Sequence, residues 1–260
     1  EKVVLSSDAF RGLLGHCFVT DQEEVLGLLF GDMEAKTVRI YGCLSLQRNC
    51  KEKDRVEVED VQLSSAMTSA EELSNTLQQE CTLKGWFHSH PNITVFPSHV
   101  DIRTQAYLQA LGPEFLGLII SCFCRDSQNL EKVSLIAFQS KDNQAVSIPV
   151  EIASPTVLLK APPNMTIHDS YHYLLDVQKN LLTEEKEAYN QASQNSHLLS
   201  KVYNASLFNL SMSRILEKSL IPFYEFILHK QQMDQILLEQ LQRENELLEL
   251  QLASKQRSNT

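Results

Sequence analysis

The stretch that decides the fold spans residues 85–105 and reads GWFHSHPNITVFPSHVDIRTQ. Its first half continues an apolar and aromatic run, so residues 83–90 predict a buried strand that Pro91 ends. Its second half opens at Ser98 an amphipathic segment that Gly112-Pro113 stops, which predicts a helix over residues 98–111. The expected apolar face of this helix carries Val100, Thr104, Tyr107, Leu108 and Leu111.

Three residues of this stretch have the chemistry of metal ligands. Two positions apart on a strand, His88 and His90 present their imidazoles side by side on one face, while Ser89 points away. Asp101 lies in the first turn of the following helix, from which its carboxylate can fold back towards both rings. Two nitrogens and one oxygen form the ligand set of a catalytic zinc site whose open fourth position takes water.

Each of these residues also has a simpler interpretation. A lone His-x-His pair is more often a polar pair on a strand surface, Ser98 could serve only as a helix N-cap, and Asp101 could only complement the helix dipole. A zinc hydrolase also needs a base, and Glu24 is the candidate because it directly precedes the apolar strand predicted over residues 25–30. The alternative for Glu24 is a solvated loop residue like its neighbour Glu23.

The combined pattern resembles a known family. An acid before V-x-G-L, then H-[ST]-H-P, seven residues, Ser, two residues and Asp is the signature of the JAMM (MPN+) metalloproteases. Residues 85–105 are similar to the BRCC36-type subfamily, the deubiquitinase subunit of the BRISC and BRCA1-A complexes. The chain differs from the proteasomal and signalosome members, which carry Gly after His-Pro where this sequence has Asn92.

The resemblance implies a role for every residue of the motif. His88, His90 and Asp101 would hold one Zn²⁺ per chain, Glu24 would act as general base and then acid, and Ser98 would donate a hydrogen bond to the tetrahedral oxyanion. The implied substrate is a lysine-63-linked ubiquitin chain, whose tail we expect near residues 47–66 or beside a sheet edge.

The resemblance also implies partners. Members of the subfamily pair with a catalytically silent, Abraxas-type MPN protein, and we expect these heterodimers to form a higher-order assembly. The isolated chain is then expected to be weakly active, or inactive until it is partnered. The alternative is a non-catalytic MPN scaffold, but silent relatives usually lose a histidine, the aspartate or the base, and this sequence has all of them.

The rest of the chain predicts an α/β fold with a mixed central sheet flanked by helices, which resembles an MPN domain, followed by a C-terminal helical, coiled-coil region. We place the catalytic domain at residues 1–153, a proline-containing linker at 154–166 and the helical region at 167–260. Further expected elements are a helix from residue 10, a polar loop over 47–66, a helix capped by Thr68 and strands at 38–46, 115–123, 133–137 and 146–152. Pro222 should start or kink a helix.

The last helix carries a heptad-like seam. Its members step by three and four residues and include one polar position of the kind that fixes register in coiled coils. A helical tail has little core of its own to cover such a stripe, so we favour partner helices over packing on its own domain. The predicted partner-binding residues are Leu238, Leu241, Asn245, Leu248 and Leu252.

Composition limits the other classes of function. The net charge is −10 over 260 residues without a basic stripe, which disfavours direct binding to nucleic acid. No apolar run is long enough for a transmembrane helix, and no secretory signal is visible. Six cysteines without a CxxC pair favour a reducing compartment, cytoplasm and nucleus. The zinc deaminase signature and the HExxH motif are both absent from the sequence.

Overall fold

The computed structural model describes residues 2–47, 60–125, 130–154, 163–194 and 197–258. The chain divides into two compact units, Glu1–Ser219 and Leu220–Thr260. Within the described residues, no helix carries an apolar stretch that could span a bilayer. The predicted linker at 154–166 lies mostly outside the described residues, although a helix begins at Pro163, inside its last four positions. The domain boundary proposed there stays a prediction.

One mixed sheet of eight strands organises the first unit. Its spatial order is β7-β6-β5-β4-β2-β3-β1-β8, in which β1 runs parallel to both β3 and β8 and β4 runs parallel to β5, while the other neighbours are antiparallel. The predicted α/β class with a mixed central sheet is therefore confirmed. The strands are β1 Lys2–Ser6, β2 Leu26–Glu34, β3 Thr37–Ser45, β4 Thr82–Pro91, β5 Leu116–Arg125, β6 Glu131–Lys141, β7 Gln144–Ile148 and β8 Val150–Ala153.

The predicted strand over residues 146–152 is wrong, because Pro149 divides it into β7 and β8. Alternating apolar residues continue across the proline, which made the run look like one strand. Proline has no N–H for the ladder, so the chain leaves one sheet edge there. β7 pairs with β6 at that edge, and β8 pairs with β1 at the opposite edge, where the Pro149 carbonyl accepts the Val3 amide at 2.9 Å.

Six α-helices accompany the described strands, and their starts test the capping predictions. Ser6 caps the first helix, since its hydroxyl accepts the Ala9 amide at 3.0 Å, and Pro222 lies in the first turn of the last helix, as predicted. A 3₁₀ turn, Gln109–Leu111, extends the third helix, and a π-helical turn, Leu216–Leu220, joins the last two. The helices are α1 Ser7–Cys17, α2 Asp60–Leu77, α3 His99–Leu108, α4 Pro163–Ser193, α5 Leu198–Ile215 and α6 Ile221–Ser258.

The predicted cap at Thr68 is wrong, because α2 begins earlier, at Asp60. Thr68 lies inside the helix, and its hydroxyl donates to the Ser64 carbonyl at 3.3 Å. A Thr-x-x-Glu pattern also fits a helix interior, where the hydroxyl bonds back one turn. The polar loop predicted over 47–66 is therefore helical from residue 60, and its residues 48–59 lie outside the described residues.

Helices cover both faces of the sheet and bury two apolar clusters. α1 and α4 cover one face, where Leu13, Phe87 and Tyr173 belong to one cluster. α2 and α3 lie with the other cluster, which contains Trp86 and Leu108. Successive residues of a strand alternate between faces. Since Phe87 belongs to the first cluster and Trp86 to the second, the remaining even-numbered residues of β4 face α3.

β2 passes very close to its neighbours at Gly27. A Cβ atom at this position would lie 2.3 Å from the Leu44 carbonyl oxygen and 2.4 Å from Cε1 of Phe87. Only a residue without a side chain lets β2 fit between β3 and the Phe87 ring. The glycine of the V-x-G-L pattern thus serves the packing of the strand that follows Glu24.

Candidate metal centre

The structure brings together the three predicted ligands of β4 and α3. Nε2 of His88 lies 3.0 Å from Nε2 of His90 and 3.2 Å from Oδ1 of Asp101, and His90 Nε2 lies 3.6 Å from Oδ2 of Asp101. Strand alternation directs both rings towards α3, and the carboxylate projects from the first turn of that helix. All three residues are buried. They form the one group of at least three potential metal ligands found among the described residues.

These distances fit a zinc ion. Two ligand atoms about 2.05 Å from a tetrahedral zinc ion lie about 3.3 Å apart. The three separations here, in which each histidine faces a different carboxylate oxygen, bracket that value. A cluster of two imidazoles and a carboxylate is also the donor set that zinc prefers in catalytic sites. His88, His90 and Asp101 would hold the ion, and each of the three residues would contribute one ligand atom.

His90 has its ring orientation fixed by the loop that follows β4. Its Nδ1 lies 2.7 Å from the carbonyl oxygen of Thr94. A carbonyl can only accept, so Nδ1 carries the proton, and Nε2 of the neutral ring keeps its lone pair towards the other ligands. A backbone acceptor behind a histidine is the usual support for a metal ligand.

His88 is held in a different way. Its Nδ1 is buried and has no hydrogen-bond partner among the described residues. The indole of Trp86 lies against the imidazole instead, with ring centroids 4.7 Å apart and an interplanar angle of 11°. Both side chains are fully buried. The ring of His88 is thus oriented by aromatic stacking.

Asp101 takes part in a capping box as well as in the cluster. Its amide donates to Oγ of Ser98 at 3.2 Å, and the Ser98 amide donates to its Oδ2 at 2.6 Å. These reciprocal bonds fix the first turn of α3, and so the carboxylate, beside the histidines. The predicted N-cap role of Ser98 is confirmed. Ser98 is an exposed residue, and accepting the amide leaves the hydrogen of its hydroxyl available for another acceptor.

Electrostatics favour a neutral His88 and an ionised Asp101, as metal binding needs, and a charged His90 until an ion displaces its proton. Burial lowers the pKa of His88, which favours the neutral ring. Burial alone would raise the pKa of Asp101, but hydrogen bonds from His88, His90 and the Ser98 amide hold it well below its ordinary value. Burial also opposes a charge on His90, yet hydrogen bonds to Asp101 and Thr94 raise its pKa. The carboxylate is therefore ionised at neutral pH.

Glu24, the predicted base, lies close to this cluster. It is half-buried and directly precedes the last residue before β2, and its negative charge contributes to the raised pKa of His90. Ser89 ties this segment to β4: its Oγ accepts the Val25 amide at 2.9 Å, and its own amide donates to the Val25 carbonyl at 2.9 Å. The residue between the two histidines therefore anchors the backbone next to Glu24. The catalytic roles of Glu24 and Ser98 stay predictions.

The predicted partner-binding residues belong to α6, outside the unit that holds the metal cluster. Leu238, Leu241 and Leu248 are each at least half exposed, and Asn245 is exposed as well. The side chain of Leu252 lies outside what the structure describes. The stripe of leucines on α6 is thus a surface feature.

The sequence interpretation missed two side chains behind the ligands, Trp86 and Gln105. The predicted apolar face of α3 is correct only at Leu108: the buried residues are Asp101, Gln105 and Leu108, while Tyr107 and Leu111 are 64% and 47% exposed. The signal was present in the spacing, since Gln105 lies one turn after Asp101 and Trp86 lies two residues before His88. The residues that a helix turns towards a buried metal cluster can be polar.

The fold and the cluster together define a metalloprotease of the JAMM (MPN+) type, and comparisons with known proteins agree. Residues 1–114 match the JAB1/Mov34/MPN/PAD-1 ubiquitin protease family, and residues 171–248 match the BRCC36 C-terminal helical domain. Among curated proteins, the Lys-63-specific deubiquitinase BRCC36 of Rattus norvegicus is 32% identical over 98% of this chain and 96% of its own length. The protein of the same name from Xenopus tropicalis is 34% identical, over 95% and 96% respectively.

The chain belongs to the BRCC36 group of the JAB1/Mov34/MPN/PAD-1 ubiquitin protease family. It is a metal-dependent isopeptidase of the JAMM type, and its cluster of His88, His90 and Asp101 can bind the metal. The predicted resemblance and enzyme class are thereby confirmed.

Proposed function

We propose that this chain is a zinc-dependent deubiquitinase that hydrolyses isopeptide bonds in ubiquitin chains, preferentially lysine-63-linked ones, as the catalytic subunit of a complex. The observation that carries the proposal is the convergence of two imidazoles and a carboxylate at zinc-like spacing, and the negative charge of Glu24 that acts on His90 supports it. The relatives are named as Lys-63-specific deubiquitinases, which supports the linkage preference.

Zinc at this site would supply Lewis acidity towards the isopeptide carbonyl and the attacking water. The side chains of the chain itself would do the rest. Glu24 would take a proton from the attacking water and later deliver it to the leaving lysine amine. Ser98 would donate its free hydroxyl hydrogen to the oxyanion, a contribution of about 3 kcal/mol for a donor of this kind.

A second part of the proposal concerns partners. We expect an Abraxas-type, catalytically silent MPN protein to pair with this chain and raise its activity, and the heterodimers to assemble further. The exposed leucines of α6 support a helical partner, because Leu238, Leu241 and Leu248 leave an apolar stripe, interrupted by Asn245, open to solvent. Asn245, the polar position within this stripe, would fix the register of such a contact. Activity in the cytoplasm and nucleus completes the proposal.

The test uses the full chain with and without an Abraxas-type partner, and ubiquitin dimers of defined linkage as substrates. We expect chelator-sensitive cleavage that favours the lysine-63 linkage and rises when the partner is added. Zinc content should be one ion per chain. Partner-independent full activity would refute the activation step, and cleavage that survives chelation would refute the metal mechanism.

Glu24→Gln tests the base, and Glu23→Gln is the matched control on the adjacent acid. We expect Glu24→Gln to keep its zinc and lose at least about 100-fold in turnover, since general base catalysis contributes about 10²–10⁴-fold. Glu23→Gln should stay within a few-fold of the wild type. Equal turnover in the two variants would exclude Glu24 as the base.

A further inference from the structure

Two of the links that join β4 and α3 lie side by side. The first is the pair His88–Asp101, with 3.2 Å between Nε2 and Oδ1. The second lies one step further from the metal cluster, where Nε1 of Trp86 donates to Oε1 of Gln105 at 2.7 Å. Trp86 shares a strand face with His88, and Gln105 lies one helical turn after Asp101. The second link therefore spans the same two elements as the ligands.

The side-chain amide of Gln105 is buried, and both its nitrogen and its oxygen form hydrogen bonds. Its side chain is fully buried, and its Nε2 donates to the Phe115 carbonyl at 2.8 Å and to Oε1 of Gln109 at 3.1 Å. With donors and acceptor all engaged, the amide cannot rotate without breaking bonds, and it presents Oε1 to the indole. A satisfied buried network of this kind rigidifies its surroundings.

Trp86 in turn supports the ligand that lacks a hydrogen-bonding neighbour. Metal-ligating histidines usually donate their second ring nitrogen to an acceptor that fixes the ring. His90 has such an acceptor in the Thr94 carbonyl, whereas Nδ1 of His88 has none among the described residues. The indole stacked on His88 at 4.7 Å occupies the supporting position.

We infer that Trp86 and Gln105 are a positioning pair: Gln105 fixes the indole, the indole fixes the plane of His88, and their bond sets the spacing of β4 and α3 at which His88 and Asp101 share a metal ion. This inference rests on the proposed metal centre. In this role, neither Trp86 nor Gln105 contacts the metal or the substrate.

The test measures metal affinity, which does not depend on turnover. Trp86→Phe keeps an aromatic ring beside His88 but removes the N–H donor, and Gln105→Met keeps an unbranched side chain of similar length but removes the acceptor. We expect each to weaken Zn²⁺ binding by about 10–100-fold, measured in the full chain by competition with a chromophoric chelator. The double variant should bind no more weakly than the weaker single variant, because both act through one link.

Tyr41→Phe is the matched control. Tyr41 belongs to the same apolar cluster, is buried, and donates its hydroxyl to the Glu80 carbonyl. Its removal also costs a buried hydrogen bond but does not touch the β4–α3 link. We expect its Zn²⁺ affinity to stay within twofold of the wild type, and Co²⁺ absorption spectra should change in the two positioning variants alone.

The outcomes separate this inference from the function on which it rests. If the wild-type chain binds no Zn²⁺, the proposed metal centre fails. If the wild type binds Zn²⁺ and both positioning variants bind it as tightly as Tyr41→Phe, the centre stands and the positioning role is refuted. Circular dichroism of the metal-free chains shows which variants are folded; if Gln105→Met is not, the folded Trp86→Phe decides.

Discussion

Asp101 has two roles, as a predicted metal ligand and as part of the N-terminal cap of α3, and two substitutions distinguish them. Asp101→Ala removes both the metal ligand and the acceptor for the Ser98 amide, whose bond to Oδ2 is 2.6 Å long. Asp101→Asn removes the negative charge but keeps a side-chain oxygen that can accept the same amide. The pair therefore distinguishes loss of the ligand charge from loss of the helix cap.

The magnitudes follow from the contacts. A lost N-terminal capping interaction costs about 1 kcal/mol, so metal-free Asp101→Ala should be less stable than metal-free Asp101→Asn by about that amount. For a unit of this size the difference corresponds to about 2–4 °C in Tm. Both variants lose an anionic ligand, so each should bind Zn²⁺ at least about 100-fold more weakly than the wild type, beyond the effect of altering a supporting residue.

The assay combines urea unfolding in the presence of a chelator with chelator competition for Zn²⁺. Wild-type affinity in Asp101→Asn would show that the carboxylate is not a ligand. Equal metal-free stability of the two variants would show that the reciprocal bonds with Ser98 do not stabilise α3. Either result would refute the part of the reasoning to which it belongs.

Three further perturbations follow from the contacts around the site. Ser89→Ala should lower turnover without releasing Zn²⁺, because it frees the backbone next to Glu24, whereas Ser89→Thr should restore it; zinc loss in the alanine variant would contradict this. Gly27→Ala should destabilise the fold by about 3 kcal/mol or more in urea unfolding, since its Cβ would lie 2.3 Å from a backbone oxygen; a cost below about 1 kcal/mol would be inconsistent with that packing. Glu114→Gln should cost about 1–2 kcal/mol near pH 7, because Lys84, only 9% exposed, loses its partner at 2.8 Å. The hydrogen bond from Lys84 lowers the pKa of Glu114, so the cost should fade as the pH falls below the ordinary glutamate value towards that lowered pKa; a pH-independent difference would contradict the pairing.

The metal ligands could be predicted because their geometry is local. A spacing of two residues on a strand places His88 and His90 on the same face, and a short connection brings the first turn of α3 back to them. Their support could not be predicted in the same way. The apolar residues of α3 suggested a face that is in fact exposed except at Leu108, since a helix beside a buried polar cluster turns polar residues such as Gln105 inward.

The errors in the fold have similar physical causes. The start of α2 was misplaced because a Thr-x-x-Glu sequence serves as a cap or as part of a helix interior, and only its surroundings decide. The separation of β7 from β8 was missed because side-chain alternation does not record which backbone amides are available for pairing. Alternation does identify buried faces, which is why the mixed sheet itself was predicted.

The stacking of Trp86 on His88 has a practical consequence. The chain contains a single tryptophan, and its indole lies 4.7 Å from one of the rings that would change its electronic state when an ion binds. Intrinsic fluorescence of the unlabelled protein should therefore follow occupancy in real time, with no competing signal from another indole. Trp86 is thus an intrinsic fluorescent reporter located at the metal centre itself.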